Sequence, residues 1–196
     1  HNSLTIPTAV IIESMEKIKV AIVGLGNVGF GVLDAVLLEP DMELIGVVDL
    51  LSRDQMKGNI PAARCSMLEN INFVQSIKEL GKVDVAIVSC PSRMVRNTVG
   101  EILKLGINTV DSFDIHGELA DLRIELDKVA RANNSVAVIS AGWDPGTDSM
   151  VRCMFEFMVP RGITYTNFGP GMSMGHTVAA KSIPGVDNAL SMTIPA

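Results

Sequence analysis

The run Gly24-Leu25-Gly26-Asn27-Val28-Gly29 spaces three glycines in the pattern that receives a pyrophosphate. The first glycine permits a tight turn, the second lets a phosphate approach the backbone, and the third lets a helix pack on the preceding strand. Free amides at the helix start, those of Asn27 and Val28 included, would meet the phosphate charge. Asp49 follows Gly29 by 20 residues. A carboxylate there binds a ribose 2′-hydroxyl and repels a 2′-phosphate. Ser52 and Arg53 follow within one turn, and a hydroxyl with a guanidinium suits a 2′-phosphate. The two signals oppose each other, and Arg53 reads equally as a solvated loop cation.

Further along stand groups suited to an amine substrate. Cys90-Pro91-Ser92-Arg93 follows a strand-like run, where loops line the ligand crevice of a parallel sheet. Ser92 can face a cofactor there or cap the next helix. Asp114 and His116 end the next strand-like run; a carboxylate in that crevice suits a substrate ammonium, although Asp114 also suits a helix cap and His116 a surface role. Gly142-Trp143-Asp144-Pro145-Gly146 holds the one tryptophan, and a carboxylate beside an aromatic face suits an amino group. Gly169-Pro170-Gly171-Met172-Ser173-Met174-Gly175-His176 adds backbone donors and an imidazole. Asp144 or His176, directly or through a water, is the expected proton acceptor. His176 also suits a structural loop, and Met172 and Met174 suit core filling.

The elements that must position these groups alternate. Strands are predicted at Ile18–Val23, Glu43–Val48, Asn72–Val74, Val83–Ser89, Ile107–Phe113 and Val136–Ser140. Helices are predicted from the glycine run to Leu38, from Arg93 to Leu105 and around Leu119–Val129, with Pro40 and Gly106 as stops. The pattern implies an α/β fold, a Rossmann-type doubly wound parallel sheet. After Gly142 the texture changes, with a helix at Asp148–Met158 and strands at Ile163–Asn167 and Leu190–Ile194. This implies three parts: residues 1–15 as an extension, 16–142 as a dinucleotide-binding domain, and 143–196 as the incomplete start of an α+β substrate and dimerisation domain.

Composition removes other classes. At 47% hydrophobic and 19% charged residues the chain is globular. A net charge of −6 without a basic stripe argues against a nucleic-acid partner. No apolar run reaches the roughly 18–20 residues of a membrane span, and no basic secretory start occurs, so a soluble cytoplasmic protein is expected. Cys65, Cys90 and Cys153 are odd in number and form no CxxC pair, so neither a metal site nor a disulfide framework is expected.

SAGWDPG at 140–146 and NFGPGMSMGHT at 167–177, with IPGV and SMTIP, resemble the meso-diaminopimelate dehydrogenases, and the similarity runs from about Lys17 to Pro195. The resemblance implies an NADP-dependent homodimer of lysine and cell-wall precursor metabolism. Its reaction oxidatively deaminates the D-centre of meso-2,6-diaminopimelate to L-2-amino-6-oxopimelate and ammonia. It implies that Gly24–Gly29 hold the pyrophosphate and that Ser52 and Arg53 approach the 2′-phosphate. Cys90, Pro91, Ser92, Arg93, Asp114 and His116 would border the cofactor. Asp114 and Asp144 would hold the reacting amino end, Trp143, Phe168, Met174 and Gly175 would line the pocket, and Thr193 would reach the distal end. Asp49 departs from the family's basic cluster and leaves NAD possible. Phe168 stands where some members have Trp. Family members are longer, which implies a chain truncated at its C-terminal end. Two other readings remain: a related NAD(P)-dependent dehydrogenase of another diamino acid, and a cofactor-binding fragment without turnover.

Overall fold

A computed structural model describes residues 16–57, 65–163, 171–172, 177, 180–181 and 183–193. Strand β1, Ile18–Val23, lies centrally in a six-stranded sheet. Its companions are β2 (Met42–Val48), β3 (Phe73–Val74), β4 (Val85–Val88), β5 (Asn108–Asp111) and β6 (Ala137–Val138). The order is β3-β2-β1-β4-β5-β6 and every pairing is parallel. Both neighbours of β1, β2 and β4, come later in the chain and lie on opposite sides of it, so the order reverses beside its carboxyl end, where an open parallel sheet forms its ligand crevice.

The strand sequences explain why both faces are covered. Along β1, Ala21 and Val23 join one buried cluster and Ile22 joins the other, as alternating side chains must. Helix α1, Asn27–Leu38, packs one face through Phe30 and Leu33 against Ile22, Val47, Met56, Leu68 and Ile71. Helix α2 is the short Arg53–Lys57 segment that contributes Met56. The opposite face is covered by α3, Ser92–Leu103, and α4, Leu119–Ala132. Val95, Val99 and Ile102 on α3, and Leu122, Leu126 and Ala130 on α4, recur at helical spacing and meet Val23, Val88 and Phe113. Leu122 is wholly buried, so truncating it to alanine would cost about 2–5 kcal/mol.

Every strand predicted between Ile18 and Ser140 is present, though most are shorter than the apolar runs. Val83–Ser89 narrows to Val85–Val88, and Ile107–Phe113 to Asn108–Asp111. The apolar run continues past the ladder because Val83 and Phe113 are buried under helices without pairing. Residues 52–82, read only as one short strand, also hold α2 and 3₁₀ turns at Ser66–Leu68 and Ile77–Glu79.

The chain divides into two compact units, residues 1–150 and 151–196. The first holds the sheet. Helix α5, Thr147–Met158, begins there. In the second, β7 (Gly171–Met172) pairs antiparallel with β8 (Met192–Thr193). The Ser191 amide donates to the Thr177 hydroxyl at 2.9 Å. The strand predicted at Ile163–Asn167 lies beyond the described residues after Ile163, and the Leu190–Ile194 strand is seen as Met192–Thr193. Among the described residues no helix is long and apolar enough to cross a membrane.

Candidate functional site

The β1–α1 turn is built by its glycines. Gly24 has φ +88°, a conformation that disfavours side chains, and its amide donates to the Val48 carbonyl at 2.8 Å. A Cβ on Gly29 would stand 2.1 Å from the Gly24 carbonyl oxygen, so only glycine lets α1 start this close to β1. A Cβ on Gly26 would meet nothing within 4 Å. The turn is thus closed on its inner side and open on its outer side. No side chain caps α1, and Gly26, Asn27 and Val28 are exposed. Their amides belong to the first turn, whose donors have no carbonyl within the helix. An uncapped, open helix start over the carboxyl edge of a parallel sheet fits a dinucleotide pyrophosphate.

Asp49 follows β2 and reaches back to this turn. Its Oδ2 accepts the Leu25 amide at 2.8 Å and its Oδ1 accepts the Leu51 amide at 2.9 Å. The carboxylate is fixed in place between the glycine turn and the next loop. Beside it lies a cavity of about 390 Å³ lined by Ser52, Arg53, Asp54, Phe73 and Glu79, among others. The Ser52 hydroxyl accepts the Gln55 amide at 3.3 Å. The Arg53 guanidinium turns inward, with Nη1 donating to the Glu69 carbonyl at 3.3 Å and Nη2 to the Ile71 carbonyl. Its Nε is buried without a partner.

Beyond β4 the Cys90–Arg93 loop abuts the glycine turn, since a Cβ on Gly24 would meet the Cys90 amide nitrogen at 3.0 Å. Burial pushes the Cys90 thiol above its ordinary value, against a lowering contact with Thr98. Pro91 precedes the helix and Ser92 is its first residue. Ser92 does not cap α3. Its hydroxyl donates to Asp114 Oδ1 at 2.5 Å and accepts the Asp114 amide at 3.4 Å. Asp114, in turn, caps no helix, because the segments starting at His116 and Leu119 have no side-chain cap. The exposed Asp114 carboxylate is therefore aimed by the loop of the adjacent strand. Arg93 and His116 are exposed on the same carboxyl edge.

Behind Asp114 sits Asp111, which the sequence had shown only as a strand residue. It is 2% exposed, and its Oδ1 accepts the Phe113 amide at 3.0 Å and the Ser140 amide at 3.1 Å. Burial raises its pKa against those two hydrogen bonds. Ser140 has φ +56°, and the Ala141 amide donates to the Asp111 carbonyl at 2.7 Å. Asp111 thus ties β5 to the segment leading into Gly142. A strand-end carboxylate is the one signal that would have marked it.

The Gly142–Gly146 run closes on itself. Gly146 has φ +142°, and a Cβ there would fall 1.9 Å from the Gly142 carbonyl. The Thr147 and Asp148 amides donate to the Gly142 and Trp143 carbonyls at 3.0 and 2.8 Å, which turns the run directly into α5. Trp143 is 58% exposed and Asp144 is half-buried. Gly142 packs near Ser112, two residues before Asp114, as a Cβ on it would lie 3.6 Å from the Ser112 Cβ. Phe168, Met174, Gly175 and His176 lie outside the described residues, as does the Thr193 side chain. Among the described residues no three His, Cys, Asp or Glu side chains cluster as a metal site would require.

Along most of its length the chain is similar to known proteins. The family described as Diaminopimelic acid dehydrogenase C-terminal domain matches residues 142–196. The meso-diaminopimelate D-dehydrogenase of Bacteroides fragilis is 55% identical over 92% of this chain, and the match covers 58% of that relative. The Corynebacterium glutamicum diaminopimelate dehydrogenase, solved in complex with diaminopimelate, superposes with a TM-score of 0.74 at 29% identity, covering 90% of this chain and 52% of that one. An engineered D-amino acid dehydrogenase bound to NADP+ gives 0.68 at 29% identity, covering 89% and 51%. The chain spans a little over half the length of the curated relatives it matches.

Proposed function

We propose that the chain belongs to the meso-diaminopimelate dehydrogenase family and that the protein oxidatively deaminates the D-centre of meso-2,6-diaminopimelate. The products are L-2-amino-6-oxopimelate and ammonia. A nicotinamide dinucleotide, NADP or NAD, supplies the hydride acceptor when bound at the β1–α1 turn. Gly24, Gly26 and Gly29 admit the pyrophosphate, and Asn27 and Val28 offer their amides. Cys90–Arg93 and His116 border the cofactor from the neighbouring loops.

The observation that carries the reading is the carboxylate of Asp114, held by Ser92 at the carboxyl edge that the glycine turn also faces. An anion fixed there suits the substrate's ammonium group and sets which carbon faces the hydride acceptor. Asp144, beside the exposed Trp143 face, supplies the second carboxylate for the same amino end. In the reaction the substrate loses hydride from Cα and a proton from nitrogen, giving an imine. Water then adds to the imine carbon and ammonia leaves. Asp144 or His176 takes up the proton. Phe168, Met174 and Gly175 line the pocket, and Thr193 meets the distal end. The domain division at about residue 142, a homodimeric assembly, a cytoplasmic location and a place in lysine precursor metabolism belong to the same reading.

The test is reduction of NAD+ and NADP+ by the full-length protein, offered the meso, L,L and D,D isomers separately. Turnover of the meso isomer with release of ammonia is expected, and the L,L isomer, which lacks a D-centre, is expected to be inert. Tight dinucleotide binding without turnover of any isomer would reject the substrate assignment. The 55% identity to a meso-diaminopimelate D-dehydrogenase favours this reading over a dehydrogenase of another diamino acid.

A further inference from the structure

Resemblance to the family implies NADP, yet the ribose end of this site has the opposite electrostatics. Asp49 stands where the adenosine ribose of a dinucleotide on the glycine turn would lie. Its two oxygens are each held by a backbone amide, from Leu25 and Leu51. A carboxylate oxygen accepts more than one hydrogen bond, so both retain lone pairs for ribose hydroxyls. The adjoining cavity adds Asp54 and Glu79 to its lining. Arg53 is the cation among the described residues that line it, and two of its guanidinium nitrogens already serve the Glu69 and Ile71 carbonyls. A 2′-phosphate would bring about two negative charges to a fixed carboxylate that, among the described lining residues, has no guanidinium fork turned toward it.

We infer that Asp49 makes this protein prefer NAD over NADP, by accepting the ribose 2′-hydroxyl and repelling a 2′-phosphate. Arg53 acts as a brace between α2 and the segment before β3, and does not read the phosphate. The inference rests on the dinucleotide site proposed for the β1–α1 turn.

Isothermal titration of the full-length protein with NAD+ and with NADP+ tests it without reference to turnover. NAD+ is expected to bind tighter by about ten-fold or more, the scale of a like-charge contact. Asp49→Asn, which keeps one acceptor oxygen for the Leu25 or Leu51 amide, should narrow that ratio by strengthening NADP+ binding relative to NAD+. Arg53→Ala should leave the ratio unchanged. Equal or tighter binding of NADP+ by the unaltered protein overturns the inference, and so does a selective loss of NADP+ affinity in Arg53→Ala. Both results would leave the dinucleotide site standing. Failure of either dinucleotide to bind rejects the site itself, and the inference with it.

Discussion

Ser92 and Asp114 exchange two hydrogen bonds through one hydroxyl, which donates to the carboxylate at 2.5 Å and accepts the amide at 3.4 Å. The loops after β4 and β5 are thereby tied at the carboxyl edge, 22 residues apart in sequence. Removing the hydroxyl in Ser92→Ala frees the carboxylate to swing without removing its charge. Steady-state kinetics at saturating dinucleotide should show kcat/KM for the diamino acid falling by about ten-fold, the cost of misplacing a group that orients substrate. Ser92→Thr keeps the hydroxyl and should restore most of the loss. An unchanged kcat/KM in Ser92→Ala would show that Asp114 needs no such support.

Two glycines on one helix should respond oppositely to the same substitution. Gly29→Ala places a methyl group 2.1 Å from the Gly24 carbonyl oxygen, so α1 must move away from the turn. The expected destabilisation is about 2–4 kcal/mol, with loss of dinucleotide binding. Gly31→Ala places its methyl in open space within α1 and should stabilise by about 0.5–1 kcal/mol. Urea unfolding of both variants checks the pair. Equal effects would show that the turn has room the structure does not show.

Asp111 gives a pH dependence of definite sign. Burial raises its pKa in the folded protein, so the native state binds this proton more tightly than the unfolded chain. Its favourable contribution is full below the unfolded carboxylate pKa of about 3.9 and is lost as pH rises through the raised folded value. Asp111→Asn cannot ionise and keeps an oxygen for the Phe113 and Ser140 amides. The stability of the variant minus that of the unaltered protein should increase with pH across this window and then level off. Denaturant midpoints between about pH 3.5 and 7.5 would show it. A difference that stays constant with pH would mean that Asp111 is not held out of water.

Two of the thiols should react at separate rates. Cys153 is exposed on α5, whereas Cys90 is half-buried against the glycine turn with its thiol pushed up by burial. Thiolate is the reactive form, so a disulfide reagent at mildly alkaline pH should label Cys153 faster than Cys90 by about ten-fold or more. Bound dinucleotide should slow Cys90 further and leave Cys153 alone. Labelling followed by peptide mapping reads both. Faster reaction at Cys90 would place that loop away from Gly24.

Where apolar periodicity and glycine spacing acted together, the fold was legible. IKVAIV followed by GLGNVG marks β1, the turn and α1 by itself, because a buried parallel strand and a phosphate turn each leave few residue choices. The stretch 52–82 was not legible. Its helical turn and two 3₁₀ segments are too short to show a period, and they are fixed by partners far along the chain, as Arg53 is by the carbonyls of Glu69 and Ile71. Strand ends were overread for the same reason, since Val83 and Phe113 are apolar for burial and not for pairing. At the site, residue types named Asp114 and Ser92 as candidates, but not that one aims the other. Nor did they show that Asp49 spends its oxygens on amides. Hydrogen bonds of that kind depend on loop geometry, which leaves no periodic trace.

The strand order has a consequence for how a newly made chain comes together. One edge of β1 is met by β2, only a helix and a turn later. The other is met by β4, and the Lys19 amide finds the Asp84 carboxylate 65 residues downstream. As the chain leaves the ribosome, the first half-sheet can form while the far edge of β1 stays bare, presenting Val20 to Val23 as an open apolar ladder. Until β4 emerges, that edge accepts any strand offered to it. The segment best suited to recruit a chaperone during synthesis is thus the one that becomes the most protected part of the finished sheet.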